Sequence, residues 1–299
     1  MMMLIAGTVP IRDFPLTVGR VVVEGEDLVV EGRRIPCAQG TGAMIGAALA
    51  AVDYLKLGAP QVVVAGDVGQ GKGTREIYEY LIRKVGDICP QVMVLHYCLP
   101  IMALMRRLCE STQRCPNKVL MIADAGSMYA AKAAGLAPCF DIFTPDATEM
   151  AFLADPDATH PAYVARHLFD ADISQTPELV ADAYEHNNAA RLLLVKGAID
   201  YVVDGGDIVA TVAEPDVPAL EAVGGTGDTI TGLVSAFVHA GLELHEAAIV
   251  AARSNRMAGK FAQATPATRV RQIIGQFPAV FKEHLCQWSG VCYAPGGQQ

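Results

Sequence analysis

Strand-like and helix-like segments alternate through the middle of this 299-residue chain. Short apolar runs rich in Val, Ile and Leu are separated by longer stretches in which apolar residues recur with helical spacing. Parallel strands must be joined by crossovers, which are usually helices, so this alternation predicts an α/β protein with a mostly parallel sheet. The predicted strands are residues 61–65, 92–95, 119–123, 141–143, 192–195 and 199–203, and the predicted helices include 43–57, 101–111, 127–134 and 177–186.

The two ends of the chain depart from this pattern. Residues 1–36 are rich in β-forming residues, and the acidic turn 24–27 separates two Val-rich runs, as in a hairpin. Near the other end, residues 229–240 and 244–264 have the spacing of two long helices. No change in composition marks a domain boundary. We predict one main, catalytic domain at residues 37–290. A β-rich N-terminal segment, residues 1–36, packs on it, and residues 291–299 form a loose tail.

Charge and cysteine content limit the partners. The formal net charge is −9 and no basic residues are concentrated, which argues against nucleic acid or an anionic membrane as a partner. The longest apolar stretch, 42–52, is too short to span a bilayer, and the N terminus lacks the features of a signal peptide. The eight cysteines include no CxxC pair, so we predict free thiols in a reducing cytoplasm. We expect a small-molecule substrate and a homo-oligomer.

One glycine-rich stretch, GDVGQGKGTR at residues 66–75, resembles a phosphate-binding P-loop. That motif needs a hydroxyl immediately after Lys72, because this group binds Mg²⁺ from a fixed position on the helix. Here Gly73 follows the lysine and Thr74 comes one residue late, which rotates its hydroxyl by roughly 100° around the helix. We therefore predict that the nucleotide binds elsewhere. A P-loop enzyme, with Asp124 ending the second strand that such a site needs, is the alternative.

The second glycine-rich stretch, Gly-Gly-Thr-Gly-Asp-Thr at residues 224–229, directly precedes a predicted long helix. The free N–H groups and positive dipole end of a helix form an anion site, and glycine lets the backbone approach a phosphate closely. Asp228 is placed to accept a proton from an attacking hydroxyl during phosphoryl transfer. The alternative is that Asp228 only caps the helix. The turn taken alone is compatible with both interpretations.

Residues 224–241, GGTGDTITGLVSAFVHAG, are similar to the signature of the ribokinase-like fold, where a Gly-x-Gly-Asp turn carries the catalytic base. Four other segments resemble, in the same order, one branch of that fold, the ATP- or ADP-dependent NAD(P)H-hydrate dehydratases. The resemblance covers about residues 38–280 and implies a three-layer α/β/α sandwich with a mostly parallel central sheet. The four segments are 40–66, 121–126, 141–153 and 192–206.

The resemblance implies a phosphoryl-transfer enzyme that uses ATP or ADP. In the dehydratase branch the nucleotide phosphorylates the hydroxyl of the hydrated nicotinamide ring, and loss of phosphate restores NADH or NADPH. Asp228 would be the base. The residues implied to bind the nucleotide, with the amides of the turn holding the transferred group, are Gly225, Thr226, Gly227, Lys196, Gly197 and Asn255.

Asp146 and Glu149 occupy the place where sugar and vitamin kinases of the fold carry Asn-x-x-Glu, whose acidic end organises Mg²⁺. Two carboxylates one helical turn apart suit this hard cation, so we predict a Mg²⁺ site there. The alternative is that both residues only cap a helix. The predicted substrate contacts are Gly42, Asp67 and Asp124.

Two other functions stay open. The dehydratase branch typically has His-Pro-Gly-Glu where this chain has Asp-Ala-Thr-Glu, which favours a kinase acting on a sugar or vitamin precursor. A nucleotide-binding regulator without catalysis would need the glycine turn but not Asp228.

Overall fold

The computed structural model describes residues 2–159 and 175–292. The strands in these ranges are β1 (Met3–Val9), β2 (Thr17–Glu24), β3 (Asp27–Val30), β4 (Arg33–Pro36), β5 (Gln61–Gly66), β6 (Val92–His96), β7 (Leu120–Asp124), β8 (Ile142–Phe143), β9 (Leu192–Val195), β10 (Asp200–Asp204) and β11 (Asp207–Val212). The numbered helices are α1 (Gly40–Tyr54), α2 (Lys72–Ile88), α3 (Met102–Thr112), α4 (Ala125–Ala133), α5 (Ala147–Ala154), α6 (Thr176–Glu185), α7 (Ala219–Ala222), α8 (Thr226–His239) and α9 (Leu244–Phe261). Short helical pieces follow at Val270–Ile274, Phe277–Val280, Phe281–Leu285 and Cys286–Ser289, and a 3-10 turn lies at Ala137–Cys139.

The strands form one sheet in the order β11-β10-β9-β8-β7-β6-β1-β5-β2-β3-β4. The six strands from β9 to β5 in this order pair in parallel, while both ends of the sheet are antiparallel. This confirms the predicted mostly parallel centre. The six predicted strands are present with ends that differ by one residue at most. The predicted hairpin is also confirmed, because β2 pairs with β3 across the acidic turn.

The first strand lies in the middle of the sheet, between β5 and β6. Every residue of Met3–Val9 is buried, and an apolar run without alternation is typical of a parallel strand covered on both faces. This strand is therefore part of the central sheet and not of a segment packed against it. The rest of the N-terminal segment, β2 to β4, extends the sheet at one edge.

Two hydrophobic clusters cover the two faces of the sheet. One contains α1, α8 and α9 together with the last short helices, and the other contains α2 to α6. In the first cluster α1 and α8 pack closely, because Gly232 has no side chain. A Cβ at this position would collide with the backbone of Met44 and Ala48. This contact fixes the start of α8 relative to the start of α1.

The prediction of free thiols is wrong for two of the eight cysteines. Cys286 and Cys292 form a disulfide, whereas Cys37, Cys89, Cys98, Cys109, Cys115 and Cys139 are free. The reason is local: Gly290, with a φ of +69°, ends the last helix and turns the chain back, so the two Cα atoms lie 4.4 Å apart.

Among the described residues, no helix has the length and apolar character that crossing a membrane requires. Residues 293–299 of the predicted tail lie outside the described residues.

Candidate active site

The central parallel strands end at one edge of the sheet, where the chemically important side chains converge. His96 ends β6, Asp124 ends β7, and Lys196 directly follows β9. Carboxyl ends of parallel strands are the usual place for ligands in open α/β sheets. The start of α8 comes to the same edge and brings Asp228 beside His96.

Asp228 is the third residue of α8, and Gly225 is the residue that precedes the helix as its cap. The carboxylate of Asp228 therefore does not cap its own helix, and that alternative is wrong. Its Oδ2 accepts a 2.7 Å hydrogen bond from the backbone N–H of Gly40, the first residue of α1. The beginnings of two closely packed helices thus hold this carboxylate between them.

Gly225 allows the sharp turn before α8. Its φ is +99°, a conformation that favours glycine. A Cβ at this position would lie 3.1 Å from Gln39 Cα and 3.3 Å from the carbonyl oxygen of Ala38. A larger residue here would push the turn away from the start of α1.

His96 is a residue of this site that the sequence reasoning missed. It is completely buried, and its Nε2 lies 3.1 Å from Asp228 Oδ1 and 3.7 Å from Asp124 Oδ2. Nε2 is not aligned for a well-directed hydrogen bond with either carboxylate. Burial alone would lower the pKa of His96, but the two carboxylates outweigh burial and raise it. The available signal was a polar residue at the end of a predicted buried strand.

Asp124 and Lys196 form a buried ion pair. Lys196 Nζ lies 3.1 Å and 3.0 Å from the two oxygens of Asp124, and Thr231 donates a 2.6 Å hydrogen bond to Oδ2. Burial would raise the pKa of Asp124, but the charges of Lys196 and His96 hold it well below its usual range. For Lys196, burial would lower the pKa, but the negative charge of Asp124 raises it. Both groups are therefore charged at neutral pH.

Asp146 and Glu149 form a capping box at the start of α5. The carboxylate of Asp146 accepts from the backbone N–H of Glu149 at 2.8 Å, and Glu149 accepts from the N–H of Asp146 at 2.9 Å. The capping alternative is therefore realised in the structure. Burial and the charge of Asp124 raise the pKa of Glu149 to about 8.

Burial is the main cause of the raised pKa of Glu149, and the negative charges of Asp124 and Asp146 add to it. Asp124, Asp146 and Glu149 line one small pocket, where the ammonium group of Lys196 is the cation that offsets them. Oxygen ligands with uncompensated charge are the surroundings that Mg²⁺ prefers. The residues present therefore fit a divalent cation in this pocket.

Asp228 and Tyr97 line two pockets. The first, about 390 Å³, is also bordered by Thr8, Gly40 and Asp67. The second, about 200 Å³, is the pocket that contains Asp124, Glu149 and Lys196. Asp228 thus borders both pockets.

Tyr97 has an unusual conformation for a residue at the mouth of a pocket. Its φ is +51°, and the residue remains 49% exposed although it is aromatic. Its ring packs edge-on against His96 at a centroid distance of 4.6 Å. Strained backbone of this kind persists where the surroundings enforce it, and it is frequent at functional sites.

The backbone N–H groups of the P-loop-like stretch, residues 66–75, form hydrogen bonds with the side chain of Asp67, which belongs to the same stretch. Asp67 Oδ1 accepts hydrogen bonds of 2.9–3.0 Å from the N–H groups of residues 69–71, and Oδ2 accepts from the N–H and hydroxyl of Thr74. Partial burial would raise the pKa of Asp67, but these hydrogen bonds lower it. The amides that a P-loop offers to phosphate are therefore occupied, which supports a nucleotide site elsewhere. Asp67 itself borders the larger pocket beside Asp228.

Several other predicted site residues have positions that suggest indirect roles. Asn255 is 3% exposed. Its amide oxygen accepts a hydrogen bond from Thr229 Oγ1 and its amide nitrogen donates one to the carbonyl of Thr226, so it fixes the first turn of α8. The hydroxyl of Thr226 donates to carbonyls of the preceding turn. Direct contact of Asn255 with a nucleotide stays a prediction that this geometry does not favour.

Two predicted glycines also differ in their surroundings. Gly42 is buried inside α1, where a Cβ would collide with the carbonyl of Pro36, so its neighbours Gly40 and Thr41 border the pocket instead. Gly197 lies in the turn after β9, which the buried side chain of Arg256 holds through the carbonyl oxygens of Gly197 and Ala198. The sequence reasoning did not identify this arginine.

Comparisons with known sequences give a family. The family described as NAD(P)H-hydrate dehydratase matches residues 37–274. An uncharacterized protein of Methanocaldococcus jannaschii, MJ1337, is 35% identical over 242 residues, which cover 81% of this chain and 100% of that protein. The bifunctional NAD(P)H-hydrate repair enzyme Nnr of Hyperthermus butylicus is 44% identical over 73 residues, which cover 24% of this chain and 13% of that enzyme.

Comparison with solved structures gives the fold. The pyridoxal kinase of Entamoeba histolytica superposes with a TM-score of 0.53 at 14% identity, covering 92% of this chain and 94% of the kinase. Identity at this level shows the architecture alone, which is the predicted ribokinase-like α/β/α sandwich. Because the family match extends over most of this sandwich, including all of the strand ends and the α8 turn described above, the chain belongs to the NAD(P)H-hydrate dehydratase family.

Proposed function

We propose that this enzyme transfers a phosphoryl group from ATP or ADP to the hydroxyl of NAD(P)H hydrate and then eliminates phosphate, which restores NADH or NADPH. The observation that carries the proposal is the position of Asp228. Its side chain borders both pockets, and phosphoryl transfer needs a base within reach of the acceptor hydroxyl.

The smaller pocket suits the donor phosphates. Lys196 offers an ammonium group there, and the start of α8 brings backbone N–H groups and its positive dipole end. A Cβ on Gly227 would lie 3.6 Å from Lys196 Nζ, so glycine keeps this space open for a phosphate. Mg²⁺ held by Glu149 and Asp146 would neutralise charge on the transferred group.

The larger pocket suits the acceptor. At about 390 Å³ it has the size of a small-ligand site, and the exposed ring of Tyr97 offers an aromatic surface against which a flat ring can pack. Thr8, Thr41 and Asp67 add polar groups around it. A nicotinamide ring placed there would bring its hydroxyl towards Asp228.

The proposed reaction has two stages. Asp228 accepts the proton of the ring hydroxyl while the oxygen attacks the terminal phosphorus and the nucleotide leaves with one phosphate fewer. The lone pair of the ring nitrogen then expels inorganic phosphate, and loss of a proton from the adjacent ring carbon forms the double bond. The sum is dehydration of the hydrate coupled to hydrolysis of one phosphoanhydride bond.

A small-molecule kinase is the second candidate. The specific observation in its favour is the Asp-Ala-Thr-Glu sequence at 146–149, which replaces the pattern typical of the dehydratases at the edge of the donor pocket. Phosphate on a sugar or vitamin alcohol has no ring nitrogen to expel it, so a kinase would release a stable phosphate ester.

The test uses NADH hydrate with enzyme, Mg²⁺ and either ATP or ADP. We expect absorbance in the NADH band to return, with one inorganic phosphate released per NADH formed. Asp228→Asn is the matched control and should abolish both signals. No absorbance return with either nucleotide, together with steady phosphorylation of an alcohol in a metabolite panel, would assign the kinase function instead.

A further inference from the structure

The hydroxyl of Thr41 fixes the position of one proton on His96. Thr41 Oγ1 lies 2.7 Å from the carbonyl oxygen of Thr8 and 3.0 Å from His96 Nδ1. A carbonyl has no proton, so the single hydroxyl proton must point to Thr8. Thr41 Oγ1 is then the acceptor in its contact with the ring, and Nδ1 of His96 carries a hydrogen.

Within the described residues, the ion-pair partners of the other ring nitrogen, Nε2, are the carboxylates of Asp228 and Asp124. A neutral ring with hydrogen on Nδ1 would direct the lone pair of Nε2 at Asp228 Oδ1, 3.1 Å away, and two acceptors would repel each other in a fully buried site. A proton on Nε2 converts this repulsion into attraction. The ordinary pKa of histidine is about 2.6 units above that of aspartate, so the shared proton belongs on the ring.

The charges around the ring balance in this state. The titratable groups that face His96 in the described parts of the chain are Asp124 from β7, Asp228 from α8 and the phenol of the adjacent Tyr97. Lys196 contacts the far side of Asp124. A charged His96 and Lys196 therefore offset Asp124 and Asp228, two cations against two anions.

A metal ion is the competing occupant of this space. One ligand atom each from His96, Asp124 and Asp228 lies within 4.8 Å of the others. However, Oδ2 of Asp124, the oxygen nearest the ring, already accepts from Thr231 at 2.6 Å and from Lys196 at 3.0 Å. Its lone pairs are used, and an ammonium group lies where a dication would be repelled. The geometry favours a proton.

We propose that His96 is a permanently charged imidazolium that positions Asp228 as the base. The carboxylate is then held at both oxygens, by the N–H of Gly40 on Oδ2 and by the positive charge of His96 beside Oδ1. His96 acts through Asp228 and does not contact the substrate, so it is a positioning residue. Its role in turnover rests on the proposed function, but its protonation state does not.

The first experiment measures that protonation state directly. Long-range ¹H–¹⁵N correlation spectra of the intact enzyme report whether each histidine carries one ring proton or two, and the His96 signals are those that His96→Gln removes. We expect both nitrogens of His96 to be protonated at pH 7 and still at pH 8. A neutral ring at pH 7 overturns the proposal, and so does one equivalent of divalent metal found in the purified wild type and lost in His96→Gln.

The second experiment measures kcat with whichever acceptor the enzyme uses, and nucleotide affinity by calorimetry. Glutamine keeps a neutral donor near the place of Nε2, whereas asparagine keeps only the contact with Thr41. If His96 positions the base, kcat should fall by roughly 10–100-fold, further in His96→Asn than in His96→Gln, while nucleotide affinity stays within a few-fold. His239→Gln, at the far end of α8, is the matched control and should leave kcat unchanged.

A kcat within a few-fold of wild type in both His96→Gln and His96→Asn, at wild-type Tm, would overturn the positioning role. If neither variant folds, the spectra of the wild type still decide, because the His96 ring can be assigned through its contacts with Thr41 and Tyr97. Failure of the dehydratase assay leaves the spectroscopic result untouched, so the two proposals fail separately.

Discussion

Replacing Asp228 with asparagine separates the base from the geometry that holds it. The asparagine oxygen can still accept the hydrogen bond that Gly40 donates to Oδ2, so the starts of α1 and α8 stay joined. The amide nitrogen then occupies the place of Oδ1, 3.1 Å from His96 Nε2. The amide cannot take a proton from the acceptor hydroxyl. Its N–H groups also point at the ring nitrogen of His96, where the carboxylate oxygen had attracted that ring.

The expected loss has two parts. Removing a general base costs about 10²–10⁴ in kcat, or roughly 2.7–5.4 kcal/mol of barrier at 1.36 kcal/mol per tenfold change. The donor–donor contact with His96 adds a local cost to stability of about 1–3 kcal/mol, since a buried donor loses its acceptor. Nucleotide affinity should change little, because the phosphate-binding amides of the turn are not altered.

The assay is steady-state kinetics for kcat, calorimetry for ATP or ADP affinity and thermal unfolding for stability. Asp182→Asn, an exposed carboxylate on α6, is the matched loss of one charge and should leave all three measurements unchanged. An Asp228→Asn enzyme with kcat within tenfold of wild type would show that Asp228 is not the base, and both the two-pocket mechanism and the role of His96 would then be wrong.

Two further predictions follow from the same edge of the sheet. Gly227→Val places methyl groups beside Lys196 in the smaller pocket and should abolish ATP binding measured by calorimetry. Lys72→Ala, in the P-loop-like stretch, should leave the affinity for ATP within a few-fold. The reverse pattern would restore the P-loop interpretation. Because the pKa of Glu149 is raised to about 8, a proton must leave before this carboxylate can bind Mg²⁺, so Mg²⁺ affinity should rise from pH 6 to pH 9. Glu149→Gln should remove that dependence, and a slope unchanged in this variant would place the ion elsewhere.

The parallel centre of the sheet could be predicted because burial on both faces is visible in the sequence. The apolar runs of β5 to β9 have no polar face, and helical stretches separate them. The same signal was present in MLIAGTV, but with no helix before it the run could not be placed, and its position between β5 and β6 depends on pairing with strands far along the chain. Order within a sheet is a property of long-range contacts, which periodicity does not report.

The residues of the candidate site also differ in whether neighbours in sequence or long-range contacts reveal them. Asp228 could be singled out because the glycines of its proposed anion site are its neighbours in sequence. His96 could not, because its significance comes from Asp124 and Asp228, which other elements supply. Arg256 was missed for the same reason: it is buried and bonds Asp200 at 2.8 Å on β10.

The two glycine-rich loops show why local resemblance to a phosphate site is insufficient. Both have glycines with positive φ before a helix, and both direct backbone N–H groups into a turn. In the first loop Asp67 lies immediately after the strand, so its carboxylate can fold back into the turn and satisfy the amides of residues 69–71. In the second loop the acid comes after the glycines, inside the helix, and its carboxylate leaves the turn to reach Gly40 and His96. An acid before the turn therefore takes the place of phosphate, whereas an acid after it does not occupy the amides of the turn, as the proposed role of Asp228 as base requires.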